Sequence, residues 1–423
     1  MKIITNPDRK DWSKLLARPQ FDNSAIISTV QTVLDDVRCR GDVAVKEYEQ
    51  KFDKASLDTL AVSQSEIDEA CALLDEKLKS AINTAAANIA KFHSAQIHNL
   101  PVVETTKGVK CWQKGVAIEK VGLYIPGGTA PLFSTVLMLA VPAKIAGCKE
   151  IVLCTPPDSN GNINPAILFA AKTSGVSNIY KIGGVQAIAA MAYGTESVPK
   201  VYKIFGPGNP YVTTAKQIVS VKDVAIDMPA GPSEVAIIAD NSQRADIIAA
   251  DMLSQAEHGT TSQSMVFTTD KNLAEQVMDE AQKQCDASPR KDFISKSLEN
   301  SSIFVLDNED LLSEISNEYA PEHLIISHRN YKAISERIIN AGSVFLGNFT
   351  PESAGDYASG TNHTLPTSGY AKAYSGVNMD SFIKKITFQE ISADGLGNLA
   401  ETIEVMAENE LLMAHKNAVL IRK

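Results

Sequence analysis

Short apolar strands alternate with helices through the middle of the chain, and this alternation constrains the fold more than any other feature. Three strand segments between residues 150 and 219 are each followed by a helical segment, and a second series of this kind runs from residue 235 to 319. Strands that are apolar along their whole length, each followed by a helix, are typical of parallel sheets covered by helices on both faces. The sequence therefore predicts an α/β fold with two parallel-sheet units.

We expect the two parallel-sheet units to be Rossmann-like, and helical segments flank them. An N-terminal helical arm is predicted to carry Trp12 and neighbouring leucines that can pack on another part of the molecule. Helical periodicity also predicts one long helical region over 65–98 and a helix over about 398–416. The expected division is an arm over 1–22, a discontinuous first domain over 23–123 and 235–377, a second domain over 124–234, and a C-terminal helical tail over 378–423.

Two glycine loops precede predicted helices in the second domain. Gly183-Gly184 comes before one helix, and the stretch 206–209 comes before the next, with Pro210 at the first helical position. Ligands of parallel α/β sheets bind at the carboxyl ends of the strands, where backbone amides at a helix start can hold a phosphate. The dinucleotide fingerprint G-x-G-x-x-G is absent, so a plain tight turn explains these loops at least as well.

Composition excludes several classes of function. The formal net charge is −10 and no basic stripe is present, which argues against nucleic-acid binding and favours a small ligand. No apolar run approaches the roughly 20 residues of a membrane span, so we expect a cytoplasmic protein that does not bind a membrane. The cysteines lack C-x-x-C pairing, which fits idle thiols in a reducing compartment and argues against a cysteine metal site. They are Cys39, Cys71, Cys111, Cys148, Cys154 and Cys285.

Gln255 and His258 form the first candidate pair of metal ligands. A helix is predicted over 244–258, and Gly259 is expected to adopt the left-handed conformation that often ends helices. Residues three apart on a helix leave the same side, so the amide and the imidazole could reach one ion. The helix dipole favours a histidine in a last turn whatever its function, so the pair alone does not predict a site.

Polar residues elsewhere strengthen this prediction. The polar stretch 347–363 is predicted to be a long loop, and loops of this length inside compact domains are usually functional. Gln255, His258, Asp356 and His415 would give a nitrogen and oxygen ligand set that suits zinc, with cobalt or manganese as substitutes.

An acid–base pair would complete such a site. Glu322 and His323 could act beside the metal as general base and proton shuttle, either in a hydrolysis or in an oxidation. Each of these residues alone also has a structural explanation, since an adjacent Glu-His pair is commonly solvated and a C-terminal histidine commonly lies on a helix surface.

Several stretches closely resemble the signature motifs of the histidinol dehydrogenase family. They are Tyr124–Gly128, Ile226–Asp240, Ser254–His258, Asn317–Leu324 and Thr350–Gly369, and the resemblance extends over nearly the whole chain. It implies oxidation of L-histidinol to L-histidine through bound L-histidinal, with water and two NAD consumed per turnover, as the last step of histidine biosynthesis. It also implies a homodimer in which the tail of each subunit crosses to the other.

The resemblance also implies residue roles. The zinc ligands, one ion per subunit, would be Gln255, His258, Asp356 and His415, which would also contact the substrate. Glu322 and His323 would be the catalytic pair. Further substrate contacts would be Ser233, His363 and Glu410, with His323 also in contact. NAD contacts would be Tyr124, Gln186 and Asn209. The first domain would thus carry most of the metal and catalytic site, and His415 and Glu410 would complete the site of the other subunit.

One departure from the family pattern and two alternative functions stay open. Lys372 stands where the family usually has arginine, and the two are not equivalent at bidentate sites, so any inter-subunit contact made there is in doubt. A zinc hydrolase in which Glu322 activates water would use the same residues. A metal- or nucleotide-binding regulatory protein is the other alternative.

Overall fold

The structure is a computed structural model that describes residues 1–19, 24–98, 100–127, 130–229 and 231–423. The end of the predicted arm, Gly128 of the glycine turn and Ala230 of the Ile226–Asp240 motif lie outside the described residues. Within the described residues, no helix combines the length and the apolar character needed to cross a membrane.

The larger sheet, within the described ranges, consists of six parallel strands. They are β1 (Lys2–Thr5), β9 (Glu234–Ala239), β10 (Gln263–Thr268), β11 (Ser302–Val305), β12 (His323–Ser327) and β13 (Ser343–Leu346), in the order β1-β11-β10-β9-β12-β13. Alternate residues of β9 point to opposite faces, as in any strand. Val235 and Ile237 pack under one group of helices, and Ala236 and Ile238 pack under another.

Helices cover both faces of the larger sheet. One face packs against α10 (Ala245–Ala256), α11 (Lys271–Ala287) and α12 (Lys291–Glu299). The other packs against α1 (Trp12–Leu15), α13 (Glu309–Tyr319) and α14 (Tyr331–Ser335), and α15 (Glu352–Tyr357) follows β13. The predicted arm is thus part of this unit, because β1 pairs with β11 at the edge of the sheet and Trp12 is buried against α13.

The smaller sheet, within the described ranges, has five parallel strands. They are β4 (Lys120–Tyr124), β5 (Glu150–Thr155), β6 (Asn178–Lys181), β7 (Lys203–Phe205) and β8 (Ala225–Ile226), in the order β6-β5-β4-β7-β8. The helices of this half are α2 (Ser24–Arg40), α3 (Asp42–Phe52), α4 (Gln64–Leu73), α5 (Glu76–Ser94), α6 (Phe133–Ala146), α7 (Pro165–Thr173), α8 (Gly184–Tyr193) and α9 (Pro210–Ser220). They cover both faces, so the predicted α/β class with two parallel-sheet units is confirmed.

The early helices pack differently from the expected domain division. Apolar residues of α2 and α3 lie in one core with β4 to β7, and those of α4 and α5 lie in the core on the opposite face of the smaller sheet. Residues 24–94 therefore belong with the smaller sheet, whereas the sequence grouped 23–123 with 235–377. The cause is long-range packing of apolar faces, which periodicity alone does not assign to a partner.

Two predicted helices are each interrupted. The region 65–98 divides at Asp75, whose carboxylate caps α5 by accepting from the Leu78 N–H at 2.9 Å. The predicted tail helix over 398–416 is divided between α17 (Ala393–Asn409) and α18 (Met413–Leu420). Before them the tail contains α16 (Met379–Phe382) and β14 (Ile383–Ile391). The strand β14 pairs with β3 (Val109–Ala117), which also pairs with β2 (Val103–Thr106). The start of the tail is thus anchored to its own chain.

A buried ion pair holds the loop that follows β7. Lys216 Nζ lies 2.5 Å from an Asp227 carboxylate oxygen and donates to the Gly206 carbonyl at 2.7 Å, while the Gly206 N–H donates to Asp227 at 2.8 Å. The Lys216 and Asp227 side chains are 5% and 2% exposed. Water therefore cannot solvate either charge if the other is removed.

We expect Lys216→Met to lower the free energy of unfolding by about 3–5 kcal/mol, because it leaves the Asp227 carboxylate buried and unpaired. The matched control is Lys271→Met, which removes an exposed ion pair with Glu275 and should cost at most about 1 kcal/mol. Urea denaturation of both variants measures the difference. Equal shifts of the two midpoints would contradict this role of Lys216.

Candidate active site

The predicted catalytic pair, Glu322 and His323, lies where β12 begins, at the amino edge of the larger sheet. Ala320 ends α13 with φ 52°, and Pro321 then turns the chain, so that Glu322 precedes β12 and His323 is its first residue. The Glu322 carboxylate accepts a hydrogen bond from the Glu234 N–H at 2.9 Å, at the start of β9. These two residues thus lie at the edge opposite to the carboxyl ends, where the sequence predicted ligands to bind.

Carboxylates surround the buried imidazole of His323. Its Nδ1 lies 3.7 Å from Glu322 and 3.6 Å from Glu352, and its Nε2 lies 3.6 Å from Asp356. Burial acts to lower the pKa of His323, but these carboxylates outweigh it and raise the pKa to about 10. Burial raises the pKa of Glu322 to about 7 and that of Glu352 to about 8. The cluster can therefore hold and exchange protons.

Glu352 is the residue that sequence reasoning missed. It is buried in α15, four residues before Asp356, so both carboxylates project from one side of that helix. The available signal was the i, i+4 spacing of two acids inside the polar stretch 347–363. That stretch was expected to be a loop, and without a helix the spacing has no geometric meaning.

Gln255 and His258 reach this cluster from α10. The Gln255 amide is buried, and its nitrogen donates to a Glu352 carboxylate oxygen at 2.5 Å. His258 lies in the turn after α10, where its N–H donates to the Gln255 carbonyl at 3.2 Å. The helix ends at Ala256 and Gly259 does not have a left-handed φ, so that part of the prediction is wrong.

Asp356 acts electrostatically on His258. His258 keeps exposed surface in the single chain, but partial burial of its imidazole lowers its pKa, and the Asp356 carboxylate opposes this effect. Burial acts to raise the pKa of Asp356, and His323 outweighs it, so this carboxyl stays ionised. Two of the predicted metal ligands thus act on each other directly.

The proposed substrate contacts lie at unequal distances from this cluster. His363 Nδ1 is hydrogen-bonded to the Asp356 carbonyl at 3.0 Å, and its Nε2 lies 3.0 Å from the Thr135 hydroxyl. Ser233 directly precedes Glu234, whose N–H binds Glu322. His363 therefore lies beside Asp356, and Ser233 is next in sequence to the residue that binds Glu322.

His415 and Glu410 are not brought to this cluster within the single chain. His415 is exposed on α18, which packs on α17, and Glu410 is exposed at the end of α17. Lys372, the departure from the family pattern, lies 3.4 Å from Glu318 of the same chain on the surface. The single chain therefore presents the predicted site without its tail residues.

The candidate NAD contacts lie at the carboxyl edge of the smaller sheet, as the sequence predicted. Tyr124 ends β4, Gln186 lies in the first turn of α8, and the Asn209 side chain caps α9 by accepting from the Val212 N–H. A cavity of about 630 Å³ opens near this edge, beside Gly127 and Pro156. Tyr124, Gln186 and Asn209 do not line this cavity, and what they share is their position at the carboxyl edge, where doubly wound sheets bind nucleotides.

The residues at the amino edge of the larger sheet fit a divalent metal ion. Ligand atoms of His323, Glu352 and Asp356 lie within 4.8 Å of one another. In the described part of the chain, His323 Nε2 is buried without a hydrogen-bond partner. Imidazole and carboxylate donors without a thiolate suit zinc or a similar ion. This grouping shares Asp356 with the predicted ligand set and adds Glu352 as a competing ligand.

Comparison with known proteins identifies the family. The sequence model described as histidinol dehydrogenase matches residues 16–423. The chain belongs to the histidinol dehydrogenase family. A histidinol dehydrogenase of Bacteroides thetaiotaomicron is 63% identical over 422 residues, covering 100% of this chain and 99% of that protein. One from Escherichia coli is 51% identical over 412 residues, covering 97% and 94%.

The fold agrees with a solved histidinol dehydrogenase. The crystal structure of the enzyme from Elizabethkingia anophelis superposes with a TM-score of 0.98 at 54% identity, covering 100% of this chain and 98% of that one. The resemblance seen in the sequence motifs is thus confirmed, and the chain is an enzyme of the oxidoreductase class. The metal, cofactor and site residues of this histidinol dehydrogenase homologue stay predictions.

Proposed function

We propose that this enzyme oxidises L-histidinol to L-histidine through bound L-histidinal, with two NAD reduced per turnover, as the last step of histidine biosynthesis. The observation that carries this proposal is the buried Glu322–His323 pair beside Asp356 and Glu352, in a chain of this family. A four-electron oxidation needs two proton removals and one activated water, and this pair supplies two groups of different chemistry for them.

One zinc ion per subunit is proposed to bind Gln255, His258 and Asp356, with His415 from the second subunit. The first three lie around one cluster, and their nitrogen and oxygen donors suit zinc. When bound, zinc would supply coordination of the imidazole and amino nitrogens of histidinol, which orients the substrate.

The chain's own residues would move the protons. His323 would take the alcohol proton as the first hydride leaves, and Glu322 would activate the water that hydrates histidinal before the second. His323 can accept a proton only as the neutral imidazole, and the surrounding carboxylates favour its imidazolium form in the metal-free protein. A cation at the same carboxylates would offset that bias. Ser233, His363 and Glu410 would hold the substrate.

NAD is proposed to contact Tyr124, Gln186 and Asn209. The support is their common position at the carboxyl edge of the smaller sheet, the edge at which doubly wound sheets bind nucleotides. We also propose a cytoplasmic location, because all six cysteines, each within the described residues, are unpaired.

The enzyme is proposed to be a homodimer with shared sites. The tail exposes many large apolar side chains, which a monomer rarely leaves in water. They are Val405, Met406, Leu411, Leu412, Met413, Leu420 and Ile421. A tail that packs on a second subunit would bury them and carry His415 and Glu410 to its site.

The test is NADH formation from histidinol, before and after zinc removal. We expect two NADH per histidinol, loss of turnover after dialysis against a chelator, and recovery on adding zinc, because zinc would orient the substrate. Metal analysis of the same samples is the control. A zinc-loaded protein that reduces no NAD with histidinol would contradict the proposal and favour the binding-protein alternative.

A further inference from the structure

A buried carboxylate, Glu49 of α3, lies beneath the Gly183-Gly184 loop. One oxygen of Glu49 accepts from the Gly183 N–H at 2.9 Å and from the Gln186 amide nitrogen at 2.7 Å. The next N–H, that of Gly184, donates to the Tyr124 hydroxyl at 3.1 Å. Glu49 and Gln186 are each 0% exposed. The proposed catalytic chemistry uses none of the Glu49 contacts.

These contacts engage the first two N–H groups at the start of α8. Phosphate binding at a helix start needs free backbone N–H groups, and Gly183 and Gly184 already donate to protein oxygens. A carboxylate beneath the loop would also repel a second anion when ionised. These contacts argue against the phosphate role that the sequence allowed for this loop, because the Gly183 and Gly184 N–H groups are already engaged.

The contact with Glu49 fixes which way the Gln186 amide points. Its nitrogen is held by Glu49, so its oxygen is the free end. Among the described residues that buried oxygen has no hydrogen-bond partner, and it lies 3.0 Å from where a Cβ on Gly184 would stand. An amide oxygen can only accept a hydrogen bond. A ligand group that pairs with Gln186 here must be a donor.

We propose that Glu49 is a positioning residue for the dinucleotide, which orients Gln186 so that its amide oxygen accepts a hydrogen bond from a neutral donor group of NAD. That donor is a carboxamide N–H or a ribose hydroxyl. The inference rests on the proposed NAD contact of Gln186 and deepens it. It assigns the Gly183-Gly184 loop to recognition of a donor group in place of the pyrophosphate.

The test measures NADH binding by fluorescence and the KM for NAD, in the zinc-loaded enzyme. Gln186→Ala and Glu49→Ala should each weaken binding by about tenfold, the effect of one hydrogen bond of about 1.4 kcal/mol. Glu49→Gln keeps an acceptor oxygen in place and should stay within about threefold. The KM for histidinol and the zinc content should not change. Val45→Ala, a cavity in the same helix, is the matched control for stability and should leave binding intact.

Two further tests identify the donor. Gly184→Ala places a methyl group against the Gln186 oxygen without touching Glu49, and should weaken binding in the same way. Because Gly184 has φ 54°, the change also strains the backbone, and urea denaturation of this variant separates that strain from the effect on binding. The 3-acetylpyridine analogue of NAD lacks the carboxamide N–H, and a 2′-deoxyribose analogue lacks a hydroxyl. One analogue should bind wild-type enzyme more weakly than NAD does, yet bind Gln186→Ala no more weakly than NAD does. The group that this analogue lacks is then the donor.

The outcomes separate this inference from the proposed NAD contact. If Gln186→Ala binds NADH like wild type, the proposed contact is wrong and the inference falls with it. If Gln186→Ala weakens binding but Glu49→Ala does not, the contact stands and only the role of Glu49 is overturned. A loss in Glu49→Ala that Val45→Ala reproduces would also overturn it, because cavity formation alone would then explain the loss.

Discussion

Glu322→Gln is expected to slow the oxidation of histidinal by about 100-fold or more, and the oxidation of histidinol much less. A glutamine fills the same space and its amide oxygen can still accept from the Glu234 N–H, so the turn before β12 should persist. It cannot take a proton from water, however, and only histidinal oxidation needs hydration of a carbonyl. Single-turnover formation of NADH, started separately from histidinol and from histidinal, measures both half reactions.

His323→Gln distinguishes the second role. It should slow the oxidation of histidinol by about 100-fold or more, because it removes the acceptor of the alcohol proton. Glu318→Gln, an exposed change in α13 beside the same turn, is the matched control and should leave both half reactions unchanged. If Glu322→Gln and His323→Gln slow both half reactions equally, the separation of roles between the two residues is wrong.

The sequence predicted the two sheets well because their strands are buried on both faces. Continuous apolar runs such as Ser302–Val305, and capped helices such as Pro165–Thr173, carry their own boundaries, and both lie within the stretches in which strands and helices were predicted to alternate. Asn164 accepts from the Ala166 N–H at 2.9 Å and Pro165 occupies the first turn, so local chemistry alone starts that helix.

Features that depend on distant packing were not predicted. Periodicity shows that α2 and α5 each have an apolar face, but not which sheet it covers, and these helices cover the smaller sheet. The edge of the larger sheet at which Glu322 and His323 lie was not predicted, because no strand was predicted over His323–Ser327. Glu352 became visible only once α15 placed it four residues before Asp356 on one helix.

Mixing subunits that carry different substitutions tests whether the tail residue His415 completes the site of the other subunit. Gln255→Ala and His415→Ala homodimers should each be inactive, because every site lacks a ligand. If each site takes its tail from the second subunit, a mixed dimer has one site with both residues intact and one site with neither. Random mixing at equal amounts should therefore recover about a quarter of wild-type activity, since half of the dimers are mixed and half of their sites are complete.

Gln255→Ala mixed with His258→Ala is the control for this prediction. Both residues approach the cluster from one α10 and the turn that follows it, so every site in a mixed dimer still lacks one of them. No recovery is expected, although subunits exchange to the same extent. Recovery in the first mixture alone would show that His415 acts in the other subunit's site. If verified mixed dimers show no recovery of activity, the exposed α18 would have to fold back onto its own chain. The apolar surface of the tail would then lack the function proposed for it.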